Sequence, residues 1–148
     1  MKRNRLFLLP VLVLLVMASC AVVSASELKS VNSGTIIQPV NTTGFGQIHP
    51  LTVTGSVTQG QTTWQTRVVS SYITSMNVNL YWGVPANSLR LKIYSPDGSI
   101  YGPFYDNFDG ATDGRINVDV INSGGIPQGT WIYEIYGYRV TGRQYYTI

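Results

Sequence analysis

Apolar and polar residues alternate along several short segments of the chain after residue 50. The clearest is MNVNLYW, in which every second residue is large and apolar: Met76, Val78, Leu80 and Trp82. The same alternation recurs at 51–57, 62–69, 89–94, 115–120, 130–138 and 144–148. Successive side chains of a strand point to opposite faces, so a period of two with one apolar face predicts antiparallel strands packed on a core.

Turn residues separate these segments and indicate the fold class. In LRLKIYSPDGSIYGP, residues 89–103, Pro96 and Gly98 suit a tight turn, so a strand should end there and resume beyond it. No part of the mature chain keeps a 3.6-residue period, and no substantial helix is predicted. About seven or eight short strands with frequent turns are typical of an all-β antiparallel sandwich, which we expect over residues 51–148. Three aromatic residues that share faces with aliphatic neighbours are expected to fill its core: Trp82, Trp131 and Tyr133.

The first 25 residues have the composition of a secretion signal. Basic residues at 2–5 precede an apolar run at 6–17, and Val-Ser-Ala at 23–25 matches the small residues of a cleavage site. Cleavage after residue 25 is therefore predicted, with an uncleaved membrane anchor as one alternative. A second alternative is lipidation at Cys20, because Met-Ala-Ser-Cys weakly resembles a lipobox. The predicted localisation is secreted or cell-surface.

Residues 26–50 form a polar segment with little periodicity, which predicts a spacer before the domain. Within it, Ile36, Ile37 and Val40 are apolar and are expected to dock loosely on the domain. Asn41 begins the sequon Asn-Thr-Thr and is a candidate glycosylation site.

Charge and composition exclude several classes of function. The chain has 10 Lys and Arg and 7 Asp and Glu, and three of the basic residues lie in 1–25, so cleavage leaves 10 − 3 = 7 basic and 7 acidic residues. A near-neutral mature chain does not predict nucleic-acid binding. Cleavage also removes Cys20, the one cysteine, and leaves His49 as the one histidine, which excludes a zinc site built from His and Cys. No membrane span is predicted after cleavage.

The segment YDNFDGATDGR, residues 105–115, is the candidate metal site. Its carboxylates Asp106, Asp109 and Asp113 are hard oxygen ligands of the kind that calcium prefers. The spacing is not that of an EF-hand, because Ala111 would occupy a ligand position. The alternative interpretation is a solvated loop, since Asp, Asn and Gly are common in turns. No motif for nucleophilic catalysis is present, and the chain is predicted not to be an enzyme.

Tyrosines are the candidate ligand-binding residues. Four of them fall on the outward faces of their predicted strands: Tyr81, Tyr94, Tyr136 and Tyr138. If those strands pair, the four side chains form a surface stripe that could stack sugar rings or dock a protein. The alternative is a cross-strand ladder that only stabilises the sheet.

Three segments together resemble the bacterial and archaeal pre-peptidase C-terminal domain. They are NSLRLKIYSPDGSIYGP (87–103), GGIPQGTWIYEIYGY (124–138) and the closing QYYTI (144–148). The resemblance covers residues 51–148 and implies a jelly-roll-like sandwich that assists binding or secretion; some relatives carry calcium. Ser95 replaces the usual first Asp of the turn, which is a departure at the position where a calcium site would be inherited. The chain is also similar to small one-domain secreted proteins of methanogenic archaea.

These features predict a non-enzymatic β-sandwich module, secreted or on the cell surface, that binds an extracellular protein or polysaccharide. The first alternative is a structural envelope component that self-associates through edge strands or through the tyrosines. The second alternative is a small hydrolase. No cofactor other than calcium is suggested by the sequence.

Overall fold

The computed structural model describes residues 34–40 and 53–148. The predictions for the signal peptide, Cys20 and Asn41 fall outside these ranges. The strands are β1 (Ile36–Pro39), β2 (Thr54–Thr58), β3 (Thr62–Val69), β4 (Ser75–Tyr81), β5 (Ser88–Tyr94), β6 (Ile100–Tyr105), β7 (Arg115–Ile121), β8 (Gly129–Arg139) and β9 (Arg143–Thr147). A single 3₁₀ turn, Asp106–Asp109, is the one helical element of the described residues. None of their helices is long and apolar enough to span a membrane.

The strands form two antiparallel sheets that pack as a sandwich. One sheet has the order β1-β7-β4-β9-β2 and the other has the order β3-β8-β5-β6. Apart from the β5–β6 hairpin, each successive strand from β2 to β9 crosses to the opposite sheet, and this interleaving is the strand order of a jelly roll. The predicted fold class is confirmed.

β1 adds a strand that the sequence pattern does not reveal. It lies in the segment expected to be a spacer, and it pairs with β7 in register from Ile36↔Ile121 to Pro39↔Val118. The Val40 N–H then donates to the Asn117 carbonyl oxygen at 2.9 Å. This segment was expected to dock loosely, and it instead forms a regular strand pair with β7. The described residues therefore contain nine strands, more than the seven or eight predicted.

Alternate residues of the central strands fill the space between the sheets, as the pattern predicts. On β4, β5 and β7 the inward residues are at most 2% exposed: Met76, Val78, Leu80, Leu89, Leu91, Ile93, Ile116, Val118 and Val120. Trp131 is completely buried, and its indole Nε1–H donates to the Pro127 carbonyl oxygen at 2.9 Å. Val53, which belongs to the first predicted strand (51–57), precedes β2 and is 40% exposed, while Val57 is buried.

The Ser-Pro-Asp-Gly segment is the tight turn between β5 and β6. Gly98 N–H donates to the Ser95 carbonyl oxygen at 3.0 Å, and Ser95 N–H donates to the Ser99 carbonyl oxygen at 2.8 Å. Asp97 Oδ1 accepts from Ser99 N–H at 2.9 Å, and Gly98 has the positive φ of 87° that glycine tolerates best. These bonds account for the residues of the turn, as the sequence predicts.

Candidate functional site

The outer face of the four-stranded sheet carries the largest group of aromatic side chains on one surface. We call this the aromatic face, and it is formed by Trp64 on β3, Tyr94 on β5, Tyr105 on β6, and Tyr136 and Tyr138 on β8. Trp64 is 54% exposed and Tyr138 is 46% exposed. Along each strand, side chains point alternately into the core and outward. The rings occupy the positions that alternate with the core-facing residues, so they point outward.

An ion-paired cluster lies in the middle of this face. Glu134 Oε1 accepts from Arg90 Nη2 at 2.7 Å, and Lys92 Nζ lies 4.0 Å from the same oxygen. The second oxygen, Oε2, accepts from the Tyr94 hydroxyl at 2.6 Å. The Arg90 guanidinium also lies 4.4 Å from the centre of the Tyr136 ring, within the range of a cation–π contact. These contacts hold several polar groups and rings in one arrangement.

The cluster fixes the protonation states at the centre of the face. Burial acts to raise the pKa of Glu134, but hydrogen bonds from Tyr94 and Arg90 and the charges of Lys92 and Arg90 outweigh it, so the pKa is lowered. The hydrogen bond to Glu134, burial and the carboxylate charge together raise the pKa of Tyr94. At neutral pH the face therefore presents an ionised carboxylate beside a protonated phenol.

Two pairs of rings lie around this cluster. Trp64 and Tyr94 meet at a centroid distance of 5.8 Å, and Tyr105 and Tyr138 meet edge to face at 4.9 Å. In the pairing of β5 with β8, Tyr94 lies opposite Ile132 and Arg90 lies opposite Tyr136; residues opposite one another across the strands form a row. Tyr94 is therefore four residues, about 14 Å, from the row of Tyr105, whereas Trp64 pairs with Glu134 and is two residues, about 7 Å, from that row.

The tyrosine stripe expected from the sequence is wrong for Tyr81. Tyr94, Tyr136 and Tyr138 do lie on one face, but Tyr81 is on β4, which belongs to the five-stranded sheet. Alternation indicates which way a side chain points within its strand, but it does not indicate which sheet the strand joins. Trp64 and Tyr105, which the sequence analysis did not single out, take part instead.

A cleft of about 370 Å³ adjoins the aromatic face at Tyr105 and Tyr138. Polar walls of this cleft come from Ser88, Asn107, Thr112 and Arg139. Hydroxyl and amide groups can donate hydrogen bonds to a ligand that extends beyond the rings and accept them from it, and the guanidinium can donate. The cleft therefore enlarges the same surface at one end.

The acidic loop does not have the arrangement expected of a calcium site. Among the described residues, no group of three acidic, His or Cys side chains is placed to hold a metal ion. Asp106 Oδ1 instead accepts from the N–H groups of Asp113, Gly114 and Arg115 at 3.2, 3.0 and 3.1 Å. Asp109 Oδ1 accepts from Ala111 N–H at 3.1 Å. The three carboxylates are therefore not grouped among the described residues, since two of them bind the loop's own backbone, and calcium binding by this loop stays a prediction.

Asp106 is the most deeply buried carboxylate of this loop, at 4% exposure. Burial raises its pKa more than the three backbone hydrogen bonds lower it. Its second oxygen, Oδ2, is buried without a hydrogen-bond partner among the described residues. The side chain thus acts as an internal cap for the chain entering β7.

The outer face of the five-stranded sheet is chemically different. Asn77 Nδ2 donates to Asn117 Oδ1 at 2.9 Å and to Asp119 Oδ1 at 2.8 Å. Arg115 Nε donates to Asn79 Oδ1 at 2.7 Å. Side chains on this face mainly bind one another, and its exposed rings, Tyr81 and Tyr145, lie near one end of the sheet beside a shallow apolar cleft of about 310 Å³.

Comparison with known proteins gives one partial similarity. No family model matches the chain. The chain is similar to an uncharacterized protein of Archaeoglobus fulgidus (strain ATCC 49558), with 46% identity over 48 residues. The match covers 32% of this chain and 67% of the other protein. The protein is therefore a β-sandwich with an archaeal homologue of unknown function.

Proposed function

We propose that this protein is a non-enzymatic module, secreted or on the cell surface, that binds polysaccharide through the aromatic face. The observation that carries the proposal is the combination of half-exposed rings, Trp64 and Tyr138, with an ordered charged cluster on the same face. The apolar face of a sugar ring can stack on an aromatic ring, and its hydroxyls can bond to carboxylate, guanidinium and phenol groups. Both kinds of contact are offered on one surface.

The charge of the face favours a neutral ligand. One ionised carboxylate, Glu134, lies between two cations, Arg90 and Lys92, so the cluster keeps an excess of only one positive charge. Phosphate-rich nucleic acid needs a larger excess of Lys and Arg than this single positive charge, and the mature composition adds none. A hydroxyl-rich chain can contact the rings and the ion pair without displacing either.

A catalytic role is not proposed, because the carboxylate on the aromatic face and the one lining the adjoining cleft are already engaged. Glu134 holds Arg90 and Tyr94, and Asp106 holds backbone N–H groups. A glycoside hydrolase needs two carboxyl groups on either side of the bond to be broken. The proposed role is therefore binding, in an accessory module related to pre-peptidase C-terminal domains, and the support for that relation is the set of turn and strand motifs described above.

The test compares matched tyrosine and tryptophan variants in a polysaccharide panel. Residues 26–148 contain both sheets and the whole core, and this fragment would be run by affinity electrophoresis through gels containing neutral and acidic polysaccharides. Trp64→Ala and Tyr138→Ala should each weaken binding about tenfold or more, since exposed rings that stack on a ligand act as hot spots. Tyr145→Ala is the control, because Tyr145 is 69% exposed on the five-stranded sheet.

Two results would overturn the proposal. One is failure to bind any polysaccharide of the panel. The other is an equal loss of binding in Tyr145→Ala, which would place the ligand on the opposite sheet. Near-ultraviolet circular dichroism of each variant would establish that its core packing is unchanged.

A further inference from the structure

The four edge strands of the sandwich differ in how they are protected. β1 has four residues and ends at Pro39, and β2 has five residues. β6 contains Pro103, which has no N–H group to offer, and its pairing with β5 shifts register between Leu91 and Ile93. Short strands, proline and bulges are the usual devices that keep a sheet edge from pairing with another chain.

β3 has none of these three devices, and of the charged side chains that also protect edge strands it has one, Arg67. It spans eight residues, Thr62–Val69, without proline or glycine, and it pairs with β8 in unbroken register. Within the part of the chain that the structure describes, no strand pairs with its other edge. The one charged residue, Arg67, donates from Nη1 to the Asn77 carbonyl oxygen at 3.2 Å. A long, regular and largely uncharged edge is a template for strand addition.

The backbone groups available on this edge can be identified. Gly137 N–H donates to the Gln61 carbonyl oxygen at 2.9 Å, immediately before β3. In an antiparallel ladder hydrogen-bonded and non-hydrogen-bonded pairs alternate, so the odd-numbered residues of β3 bond to β8. The N–H and C=O groups of the even-numbered residues point away from β8, and these residues are Thr62, Trp64, Thr66 and Val68.

We propose that β3 pairs with β3 of a second copy of this chain, antiparallel, about a twofold axis at Thr66. In this register Thr66 faces its own equivalent, and Trp64 of each copy lies opposite Val68 of the other. Both side chains are exposed in the single chain, Trp64 at 54% and Val68 at 67%. A cross-strand pair of an aromatic and a β-branched residue is a stabilising combination.

Neighbouring registers are less favourable. An axis at Arg67 would place two guanidinium groups opposite each other, and like charges directly across a ladder are destabilising. An axis at Gln65 would place both exposed apolar side chains opposite threonines. The axis at Thr66 instead sets Arg67 across from Gln65, whose amide oxygen is an acceptor for a guanidinium.

This pairing would join the two four-stranded sheets into one continuous sheet with both aromatic faces on the same side. A twofold axis perpendicular to a sheet keeps the outward side chains of both copies on one surface. Two linked sites on one surface bind a long ligand more tightly than either alone. The dimer itself does not depend on the proposed function, and its test uses no polysaccharide.

The test is a cysteine cross-link at the axis. Residues 26–148 contain no cysteine, so Thr66→Cys introduces a single thiol. Residues of a hydrogen-bonded pair have Cα atoms about 5.5 Å apart, within the range that a disulfide spans. Thr62→Cys is the matched control on the same strand and the same face, because in this register it lies about 27 Å from its equivalent. Mild oxidation should give a disulfide dimer with Thr66→Cys and not with Thr62→Cys.

A second pair of variants measures the association without a cross-link. Val68→Lys adds a charge beside the proposed axis, while Ile100→Lys adds one at the opposite edge, where Ile100 is 56% exposed. Sedimentation should show a dimer that Val68→Lys weakens about tenfold or more and that Ile100→Lys leaves unchanged. A wild-type monomer at millimolar concentration, equal cross-linking of both cysteine variants, or a dimer insensitive to Val68→Lys would each overturn the proposal.

Discussion

Replacement of Asp106 by alanine removes the acceptor that holds the loop between β6 and β7. In the native structure Oδ1 accepts three backbone hydrogen bonds, from Asp113, Gly114 and Arg115, all between 3.0 and 3.2 Å. The bond from Gly114 is buried and the other two are partly buried. Loss of the carboxylate therefore leaves one donor without a partner and two donors that water can reach in part.

The cost follows from those three donors. A buried donor without a partner costs about 1–3 kcal/mol, and a partly exposed one costs less. We expect Asp106→Ala to lower the free energy of unfolding by about 2–4 kcal/mol. Asp106→Asn is the matched control, because its side-chain oxygen can still accept the three bonds and its nitrogen replaces the unpartnered Oδ2. Its loss should be smaller than that of Asp106→Ala but not zero, because the amide keeps the acceptor and brings N–H donors to a buried place without a partner.

The pH dependence supplies an independent check. Burial raises the pKa of Asp106 in the folded state, so the folded chain takes up this proton at a higher pH than the unfolded chain does. As the pH falls from the folded pKa towards the unfolded pKa, this group therefore adds stability to the wild type. Asp106→Asn cannot take up the proton, so the wild type should gain stability relative to it over that window.

Urea unfolding followed by tryptophan fluorescence measures all three proteins, and equal m values would show that the transitions are comparable. A cost of Asp106→Ala below about 0.5 kcal/mol would refute the role of these bonds. Equal losses in the alanine and asparagine variants would refute the assignment of Oδ1 as the acceptor.

Three further predictions follow from the core and the aromatic face. Trp131→Ala should lower the free energy of unfolding by about 3–5 kcal/mol, because the side chain is completely buried, and a denaturant titration measures this. Glu134→Gln should lower the free energy of unfolding by about 1 kcal/mol at pH 7. Because the pKa of Glu134 is lowered, the stability difference between wild type and variant should shrink as the pH falls through the folded pKa, and unfolding at neutral and acidic pH measures this. Polysaccharide binding should be equal in calcium and in EDTA, since the acidic loop shows no grouped ligands, and loss of binding in EDTA would contradict this.

The strands of the core were the part of the fold most accessible from sequence. β3 spans the residues predicted, and β4, β5, β7 and β8 begin and end within one residue of the prediction. These strands alternate because one face of each sheet packs on the core and the other faces solvent. β1 gave no such signal, because its four residues include Pro39 and its pairing with β7 joins positions about 80 residues apart.

The candidate site could be predicted only in part. Alternation alone predicts that Tyr94, Tyr136 and Tyr138 point outward. The strand order that places Tyr81 on the other sheet depends on contacts between distant segments, which alternation does not show. The pattern does not single out Trp64, because β3 has no clear apolar face: polar residues occupy most positions on one side, and threonines alternate with Trp64 and Val68 on the other. The hydrogen bonds from the backbone N–H groups of 113–115 to the Asp106 carboxylate depend on how the loop folds back, which the sequence pattern does not show.

The two outer faces of the sandwich differ in the free energy that a ligand could gain from them. On the five-stranded sheet a ligand would have to compete with bonds already formed, such as those from Asn77 to Asn117 and Asp119. On the four-stranded sheet, Trp64 and Tyr138 leave about half of their surface in water, and covering that surface gains free energy without breaking a hydrogen bond. The ion pair of Glu134 adds directional contacts whose geometry is already fixed, so little further ordering is needed. A ligand that is apolar on its ring faces and polar at its edges matches the four-stranded face in both respects, and pairing of β3 strands would extend that surface without altering it.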